Sequence, residues 1–147
     1  MTSRFQLVVD CADPDGMARF WAEALGYRIA APPAGIDSWS AYWRSVGVVE
    51  EALGDGEDRI VDPTGAGPTI WFQQVPEAKA GKNRLHLDLL VGGGRDVPIE
   101  TRRERVEAEA DRLVEAGAVR VGVPWQEGLD HYAVAMADLE GNEFDVV

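Results

Sequence analysis

The sequence lacks most of the features that mark secreted, membrane and nucleic-acid-binding proteins. Its single cysteine, Cys11, excludes an intrachain disulfide framework and fits a reducing compartment. No apolar run approaches the ~20 residues of a membrane helix, and the N-terminal apolar stretch is too short for a signal peptide. Basic residues are scarce: 14 Lys and Arg stand against 26 Asp and Glu, a net charge of −12. We therefore expect a cytoplasmic protein that binds neither membranes nor nucleic acid, because its charge repels phosphate groups.

Apolar residues are plentiful enough for a compact fold. They make up 46% of the 147 residues, which argues against disorder of the whole chain. The length suits one domain, or two small modules packed together. Short alternating apolar runs, separated by turns and combined with two amphipathic helical patterns, predict an α+β fold.

The first half of the chain predicts a strand, a helix and then further strands. Residues 5–11 form a short apolar strand. Asp13 is a suitable helix N-cap and Gly26 a suitable C-cap, so a helix is predicted from Pro14 to Leu25. The remaining strands are predicted over residues 27–30, 39–49, 59–61 and 69–75.

The second half repeats this order after a polar connector at residues 76–82. A strand is predicted over residues 85–91, and it carries His86, one of only two histidines in the chain. A helix is predicted from Glu100 to Ala116 on the spacing of its apolar residues. The last strands are predicted over residues 118–123, 131–137 and 143–147.

Apart from one additional strand predicted in the first half, both halves read as βαβββ, and parts of them can be aligned. The lead strands place Gln6 on His86, an offset of 80 (86 − 6). The closing strands place residues 70–72 on residues 144–146, an offset of 74 (144 − 70). An internal repeat of this size predicts two modules that each leave one sheet face to be covered by the other. Two turn sequences match as well, at residues 62–65 and 138–141.

Five motifs of the chain are similar to those of a known superfamily. They are VDCADP at residues 9–14, FWAEALGY at 20–27, NRLHLD at 83–88, EADRLVEAG at 109–117 and DLEGNEF at 138–144. Through them the chain resembles the vicinal oxygen chelate superfamily of glyoxalases, bleomycin-resistance proteins and ring-cleaving dioxygenases, and within it the glyoxalase-like subgroup. The resemblance implies a single glyoxalase-like domain of two βαβββ modules, at about residues 4–76 and 83–147. Their curved mixed sheets would enclose a cleft, commonly in a homodimer.

The resemblance also implies where a metal would bind. Metal-dependent members of the superfamily draw ligands from four inward positions, which fall here on Gln6, Trp71, His86 and Asp145. Trp71 cannot bind a metal, so the implied ligands are Gln6, His86 and Asp145, for iron, nickel, zinc or manganese. The other reading of these residues is a metal-free polar pair of His86 and Asp145, which bond to each other or to a ligand.

The same strands predict an acidic binding surface. Asp88 follows His86 by two residues and should project from the same face of the sheet. Trp39, Trp43 and Trp125 are expected near the mouth of the cleft, where they either pack or stack on a flat ligand. An acidic, aromatic cleft suits a cationic ligand. The complete set of predicted cleft residues is Gln6, Trp39, Trp43, Trp71, His86, Asp88, Trp125 and Asp145.

Two functional hypotheses follow. The first is a small-molecule-binding protein that sequesters a cationic or aromatic ligand such as an antibiotic. The second is a metal-dependent lyase, isomerase or dioxygenase that uses Gln6, His86 and Asp145. Trp71 stands where glyoxalase chemistry expects a carboxylate base, which argues against isomerisation. The sequence assigns no catalytic residue.

Overall fold

The chain was analysed as a computed structural model that describes residues 2–52, 56–124 and 127–147. It consists of two compact units, Met1–Ala78 and Lys79–Val147. In the described residues, every helix is too short or too polar to cross a membrane.

The first unit is a four-stranded mixed sheet covered by a helix. The strands β1 (Leu7–Cys11), β2 (Arg28–Ile29), β3 (Arg59–Val61) and β4 (Ile70–Gln74) stand in the order β1-β4-β3-β2. Strand β1 pairs parallel with β4, and β3 pairs antiparallel with both β4 and β2. The helix predicted after β1 is confirmed with both caps: Asp13 Oδ1 accepts a bond from Gly16 N at 3.1 Å, and Gly26 has the left-handed φ of 67° that suits glycine. The elements are β1 Leu7–Cys11, α1 Pro14–Leu25, β2 Arg28–Ile29, α2 Trp39–Ser45, a 3₁₀ turn at Glu50–Ala52, β3 Arg59–Val61 and β4 Ile70–Gln74.

The prediction of strands over residues 39–49 is wrong, because this segment forms helix α2. Ser38 caps the helix, with its Oγ accepting a bond from Ala41 N at 3.1 Å. The spacing of Trp39, Tyr42 and Trp43 brings three aromatic rings together on one side, with centroids 5.0 to 5.9 Å apart. The cap and these ring contacts outweigh the strand preference of the aromatic residues.

The second unit has the same topology, without an inserted helix in its described residues. Its strands are β5 (Asp88–Leu89), β6 (Val119–Gly122), β7 (Val134–Ala137) and β8 (Glu143–Val146). The sheet order is β5-β8-β7-β6, again with a parallel pair of first and last strands. The predicted long helix is present one residue earlier at each end. The elements are β5 Asp88–Leu89, α3 Ile99–Glu115, β6 Val119–Gly122, β7 Val134–Ala137 and β8 Glu143–Val146.

The lead strand of this unit is shorter than predicted. Residues 85–91 were expected to form it, but only Asp88–Leu89 is a strand, and His86 precedes it. The backbone stays attached to β8 on both sides, since Asp145 N bonds to Leu87 O at 2.9 Å and Val91 N bonds to Val147 O at 2.8 Å. His86 is therefore still held beside the last strand.

The strand registers confirm the internal repeat. Val8 pairs with Trp71 in the first unit, and Asp88 pairs with Asp145 in the second. These positions differ by the offsets of 80 (88 − 8) and 74 (145 − 71) that the sequence alignment gives. The chain is thus a duplicated βαβββ module in an α+β fold.

In each unit, one sheet face is buried by the unit's own helix. Burial alternates along β4 and β8, so that Phe72 and Phe144, each 1% exposed, point towards the helix. The opposite face, here called the open face, carries Trp71 in the first unit and Asp145 in the second. Cys11 is buried on the helix side of β1.

Candidate functional site

The second unit brings three of the predicted cleft residues together on its open face. His86 Nε2 lies 3.3 Å from Asp88 Oδ1 and 3.7 Å from Asp145 Oδ2. One ligand atom from each of the three side chains lies within 4.8 Å of the other two. All three side chains remain partly exposed, at 44%, 49% and 29%. In the described parts of the chain, they are the one such group of three or more potential metal ligands.

Local strand geometry explains why these residues meet. The parallel pairing of β5 with β8 places Asp88 directly beside Asp145. His86 precedes Asp88 by two residues, which returns its side chain to the same face of the sheet. Phe144 and Val146, on either side of Asp145, are buried against the helix side and hold the register. The acidic site (His86, Asp88 and Asp145) is therefore fixed by core packing on the other face.

The donor set of the acidic site suits a divalent metal ion. One imidazole nitrogen and two carboxylate oxygens are ligands that iron, nickel, zinc and manganese accept. With metal–ligand bonds of ~2.1 Å, neighbouring donor atoms lie about 3.0–3.4 Å apart. The His86–Asp88 separation of 3.3 Å fits this range, and the His86–Asp145 separation of 3.7 Å needs only a small side-chain rotation. The residues present therefore fit a metal, with Asp88 as a donor that the sequence-based ligand set did not include.

The equivalent positions in the first unit have a different chemistry. Gln6 is exposed and precedes β1, so its role as a third ligand stays a prediction. Trp71 is half-buried, and its Nε1 donates a hydrogen bond to Asp58 Oδ2 at 3.0 Å. The Arg59 guanidinium lies 5.6 Å from the centroid of the Trp71 ring, a cation–π contact.

Trp71 also lines a pocket within the first unit, together with Trp43 of α2. The pocket has a volume of about 470 Å³. We call it the acidic aromatic pocket, because its ionisable lining residues are all carboxylates and its other lining residues are uncharged. Its charged and indole-bearing residues are Asp13, Asp15, Trp43, Glu51, Asp58 and Trp71.

Asp58 is a partly buried carboxyl of this pocket. Burial raises its pKa above the ordinary value of 3.8, and the hydrogen bond from Trp71 and the charge of Arg59 oppose that rise. Asp15 lies at the start of α1, where its Oδ1 accepts a bond from Glu57 N at 2.9 Å. The environment of Asp58 therefore disfavours the negative charge that a bound cation would stabilise.

The remaining predicted tryptophans take other places. Trp39 stacks behind Trp43, with ring centroids 5.9 Å apart, and its Nε1 donates to Ala30 O at 2.6 Å. It therefore supports the pocket wall without being part of the lining. Trp125 lies outside the described residues, so its predicted place near the cleft stays a prediction.

Sequence reasoning missed the carboxylates of the acidic aromatic pocket. Glu51 belongs to a segment that reads as a solvated acidic loop, and Asp13 and Asp15 read as helix-start residues. Asp58 is not part of any of the five motifs. The one available signal was its place just before a predicted short strand that pairs with the strand of Trp71.

A second pocket lies in the second unit at the start of α3. It has a volume of about 420 Å³ and is lined by Ile99, Glu100, Arg103 and residues 127–130. Arg103 also packs over Tyr132, with its guanidinium carbon 4.8 Å from the ring centroid. Its lining mixes both signs of charge, so it selects no class of charged ligand.

Comparison with solved structures places this fold among known proteins. A hypothetical protein from S. aureus, SA1046, is 17% identical, with a TM-score of 0.58 over 99% of this chain and 93% of that chain. A glyoxalase/bleomycin resistance protein/dioxygenase family enzyme from Burkholderia phytofirmans is 14% identical, with a TM-score of 0.58 over 96% and 94%. The fosfomycin resistance protein FosX from Mesorhizobium loti is 10% identical, with a TM-score of 0.57 over 99% and 91%. At these identities the likeness shows the fold alone.

Sequence comparison identifies the family. No curated protein matches the chain. The sequence profile of the glyoxalase-like domain matches residues 6–147, which is nearly the whole chain. Solved structures of the glyoxalase/bleomycin resistance/dioxygenase group share its fold. The chain therefore belongs to the glyoxalase-like domain family of the vicinal oxygen chelate superfamily.

Proposed function

We propose that this protein binds a small cationic ligand, such as a basic antibiotic, and that the acidic site is its recognition point. The observation that carries the proposal is the convergence of His86, Asp88 and Asp145 on an exposed sheet face. Two carboxylates and one imidazole can accept two or three hydrogen bonds from a protonated amine. Such charge-assisted bonds are about twice as strong as neutral ones.

The charge of the whole chain supports a cationic ligand. A net charge of −12 attracts cations over a distance and lowers the affinity for anionic substrates. The ligand would act as a counter-ion for two carboxylates that the strand register holds side by side. We expect a homodimer, as the superfamily resemblance implies, in a cytoplasmic setting.

The second candidate is a metal-dependent lyase, isomerase or dioxygenase. It is favoured by the donor distances at the acidic site, which fit a divalent ion with His86, Asp88 and Asp145 as the residues that would hold it. A bound divalent ion supplies Lewis acidity to a substrate oxygen. Asp88 takes the place given to Gln6 in the sequence-based set, and Gln6 is an additional donor that the same experiment tests.

Metal binding is the first test. Protein stripped with a chelator is titrated with Mn²⁺, Ni²⁺, Zn²⁺ and anaerobic Fe²⁺ by calorimetry, alongside the variants His86→Ala and Gln6→Ala. The metal hypothesis predicts one ion per chain, and loss of a ligand in His86→Ala weakens affinity by about tenfold or more. His131→Ala is the matched control, since His131 is the other histidine and is exposed. Unchanged metal affinity in His86→Ala would overturn the metal hypothesis.

Recognition of an organic cation is the second test. The chain has only two histidines, so each imidazole gives a separate NMR signal that a single variant assigns. Basic antibiotics and simple diamines are added to chelator-treated protein while both imidazoles are followed. We expect saturable shifts at His86 that disappear in the double variant Asp88→Asn, Asp145→Asn and leave His131 unmoved. Shifts of equal size at both imidazoles, or at neither, would contradict the acidic site as the recognition point.

A further inference from the structure

The acidic aromatic pocket has the shape and walls of a separate ligand site. At about 470 Å³ it falls within the ~300–1,000 Å³ that small-molecule sites occupy. Two indoles line it, Trp43 from α2 and Trp71 from β4, while its Asp58 wall comes from the chain just before β3. It uses none of the residues of the acidic site.

The pocket walls are held in place before any ligand arrives. Trp43 stacks on Trp39 with their planes 24° apart, and Tyr42 meets it edge-on at 5.0 Å. The backbone of Gly56 packs closely on the Trp43 ring, since a Cβ at that position would lie 3.0 Å from Trp43 Cδ1. The indole of Trp71 is fixed by its hydrogen bond to Asp58. Walls fixed in this way reduce the entropy lost when a ligand binds.

The chemistry of the walls selects a positive charge. Indole is the best of the aromatic side chains at attracting a cation to its face. The Arg59 guanidinium lies 5.6 Å from the centroid of the Trp71 ring but is not among the lining residues of the pocket. The ionisable lining residues are carboxylates without exception, and Asp58 is partly buried, where a nearby charge is screened less than at the surface.

We infer that the acidic aromatic pocket of the first unit binds an organic cation, a protonated or quaternary amine attached to a flat ring. The ring packs against Trp43 and Trp71, and the cationic group is directed to Asp58 and the neighbouring carboxylates. This site goes beyond the function proposed above and does not depend on it, because all of its residues belong to the first unit.

The test uses three monosubstituted benzenes of similar size and different charge: benzylammonium, benzyl alcohol and benzoate. Each is added to the full chain labelled with ¹⁵N, and the five indole N–H signals are followed, with assignments from single tryptophan variants. Benzylammonium is expected to shift the signals of Trp43 and Trp71 in a saturable manner. The buried Trp21, 5% exposed, is the internal reference and should not move.

Two variants and one control examine the residues. Asp58→Asn keeps an oxygen that accepts the Trp71 hydrogen bond but removes the charge, and we expect it to weaken benzylammonium binding by about tenfold or more. Trp43→Leu should weaken it to a similar extent, and Asp58→Asn serves alone if Trp43→Leu does not fold. His131→Ala is the control: it changes an exposed residue that lies in neither site, and it should bind benzylammonium as the natural sequence does.

Several results would overturn the inference. The first is the absence of shifts at Trp43 and Trp71 up to about 10 mM benzylammonium. A dissociation constant above that concentration would be weaker than the millimolar affinity expected of a simple fragment. The second is equal binding of benzyl alcohol or benzoate. The third is undiminished binding in Asp58→Asn. Shifts confined to His86 would likewise reject this pocket while supporting the function proposed above.

Discussion

The two units use the same strand register for opposite surface chemistry. On the open face of the first unit, the first and last strands place Val8 beside Trp71. At the equivalent position of the second unit, they place Asp88 beside Asp145. The sheet orders β1-β4-β3-β2 and β5-β8-β7-β6 are equivalent. The register is held by the side chains that face each unit's helix, so residues on the open face were free to diverge. The two units share this frame, and the residues of the proposed acidic site lie on the other side of it.

Helix α2 is the second difference between the units. It lies between β2 and β3 of the first unit, while the second unit passes from β6 to β7 without a helix in its described residues. The insertion supplies Trp43 and so converts an ordinary sheet surface into one wall of a pocket. The second unit keeps an exposed acidic site at the corresponding strand positions instead. The two units therefore offer a cation different surroundings: a pocket lined by indoles and carboxylates in the first, and an exposed group of two carboxylates and an imidazole in the second.

The largest expected effect tests whether the two cores contribute equally. The buried, helix-facing positions of the last strands are Ile70 and Phe72 in the first unit, and Phe144 and Val146 in the second. All four side chains are at most 3% exposed. We expect both Phe72→Ala and Phe144→Ala to lower the free energy of unfolding by about 3–5 kcal/mol, because each leaves a cavity. Urea denaturation measures the loss.

The control for this comparison is on the open face of β1. Val8→Ala, at a position 41% exposed, should change the free energy of unfolding by no more than about 0.5 kcal/mol. Hydrogen exchange then assigns the destabilisation to the unit that carries the substitution. A loss below about 1 kcal/mol for either phenylalanine would show that the two cores are not equivalent.

Substitutions in the turns before the last strands are expected to destabilise the protein less, and by different amounts in the two units. Asp138 is 3% exposed, and its Oδ1 accepts bonds from Glu140 N and Asn142 N, both at 3.0 Å. Asp62 plays the same part in the first unit, where its Oδ1 accepts from Thr64 N at 2.8 Å, but it is less buried. We expect Asp138→Ala to cost about 1–3 kcal/mol of stability, because buried donors lose their partner.

Asp62→Ala should cost clearly less than Asp138→Ala, since water can replace the carboxylate at the more exposed turn. Asn variants at both positions are the matched controls and should recover most of the loss, because Asn forms the same local turn. Equal losses at the two turns in thermal unfolding would contradict the difference in burial as its cause.

The smallest expected effect concerns pH, where the two units should respond in opposite directions. The pKa of Glu143 is lowered from 4.5 to about 2, first by the hydrogen bond from Asn83 N and also by Lys79 at 3.2 Å. Its stabilisation is present above pH 4.5 and is lost as the pH falls towards 2. Burial raises the pKa of Asp58 above 3.8, so its charged form destabilises the fold at higher pH and that destabilisation disappears in acid.

Thermal unfolding midpoints between about pH 2 and pH 6 measure both groups. Glu143→Gln should lower the midpoint at the upper end and flatten its decline below pH 4.5. Asp58→Asn should raise the midpoint at the upper end and converge with the natural sequence in acid. If Asp58→Asn lowers the midpoint at pH 6, the favourable interactions of the charged Asp58 with Trp71 and Arg59 outweigh burial and the assigned sign is wrong.

Much of the fold could be predicted because its signals are local. Helix α1 carries its own Asp13 N-cap and Gly26 C-cap, and the strands alternate within a few residues. The prediction failed for helix α2, where Trp39 and Trp43 read as strand residues but stack on each other one helical turn apart. The lead strand of the second unit was predicted too long because alternation does not show where pairing with β8 ends.

The candidate site was predicted in part. His86, Asp88 and Asp145 were placed on one surface from alternation and the repeat, and the structure brings them together. Asp58 was not predicted, because its contact with Trp71 joins residues 13 apart in the chain through strand pairing. Such contacts leave no periodic pattern for a sequence to display.

By itself, the sequence determined the duplicated βαβββ frame, the ends of helices α1 and α3 to within one residue, and the family, because capping, alternation and motifs act over short windows. Only the tertiary structure decided which polar side chains converge. His86 and Asp145 lie 59 residues apart (145 − 86) and meet because β5 pairs parallel with β8. The acidic aromatic pocket likewise exists only because α2, the start of α1 and strand β4 pack together. Distances between chain-distant side chains are set by register and packing, which no local pattern encodes.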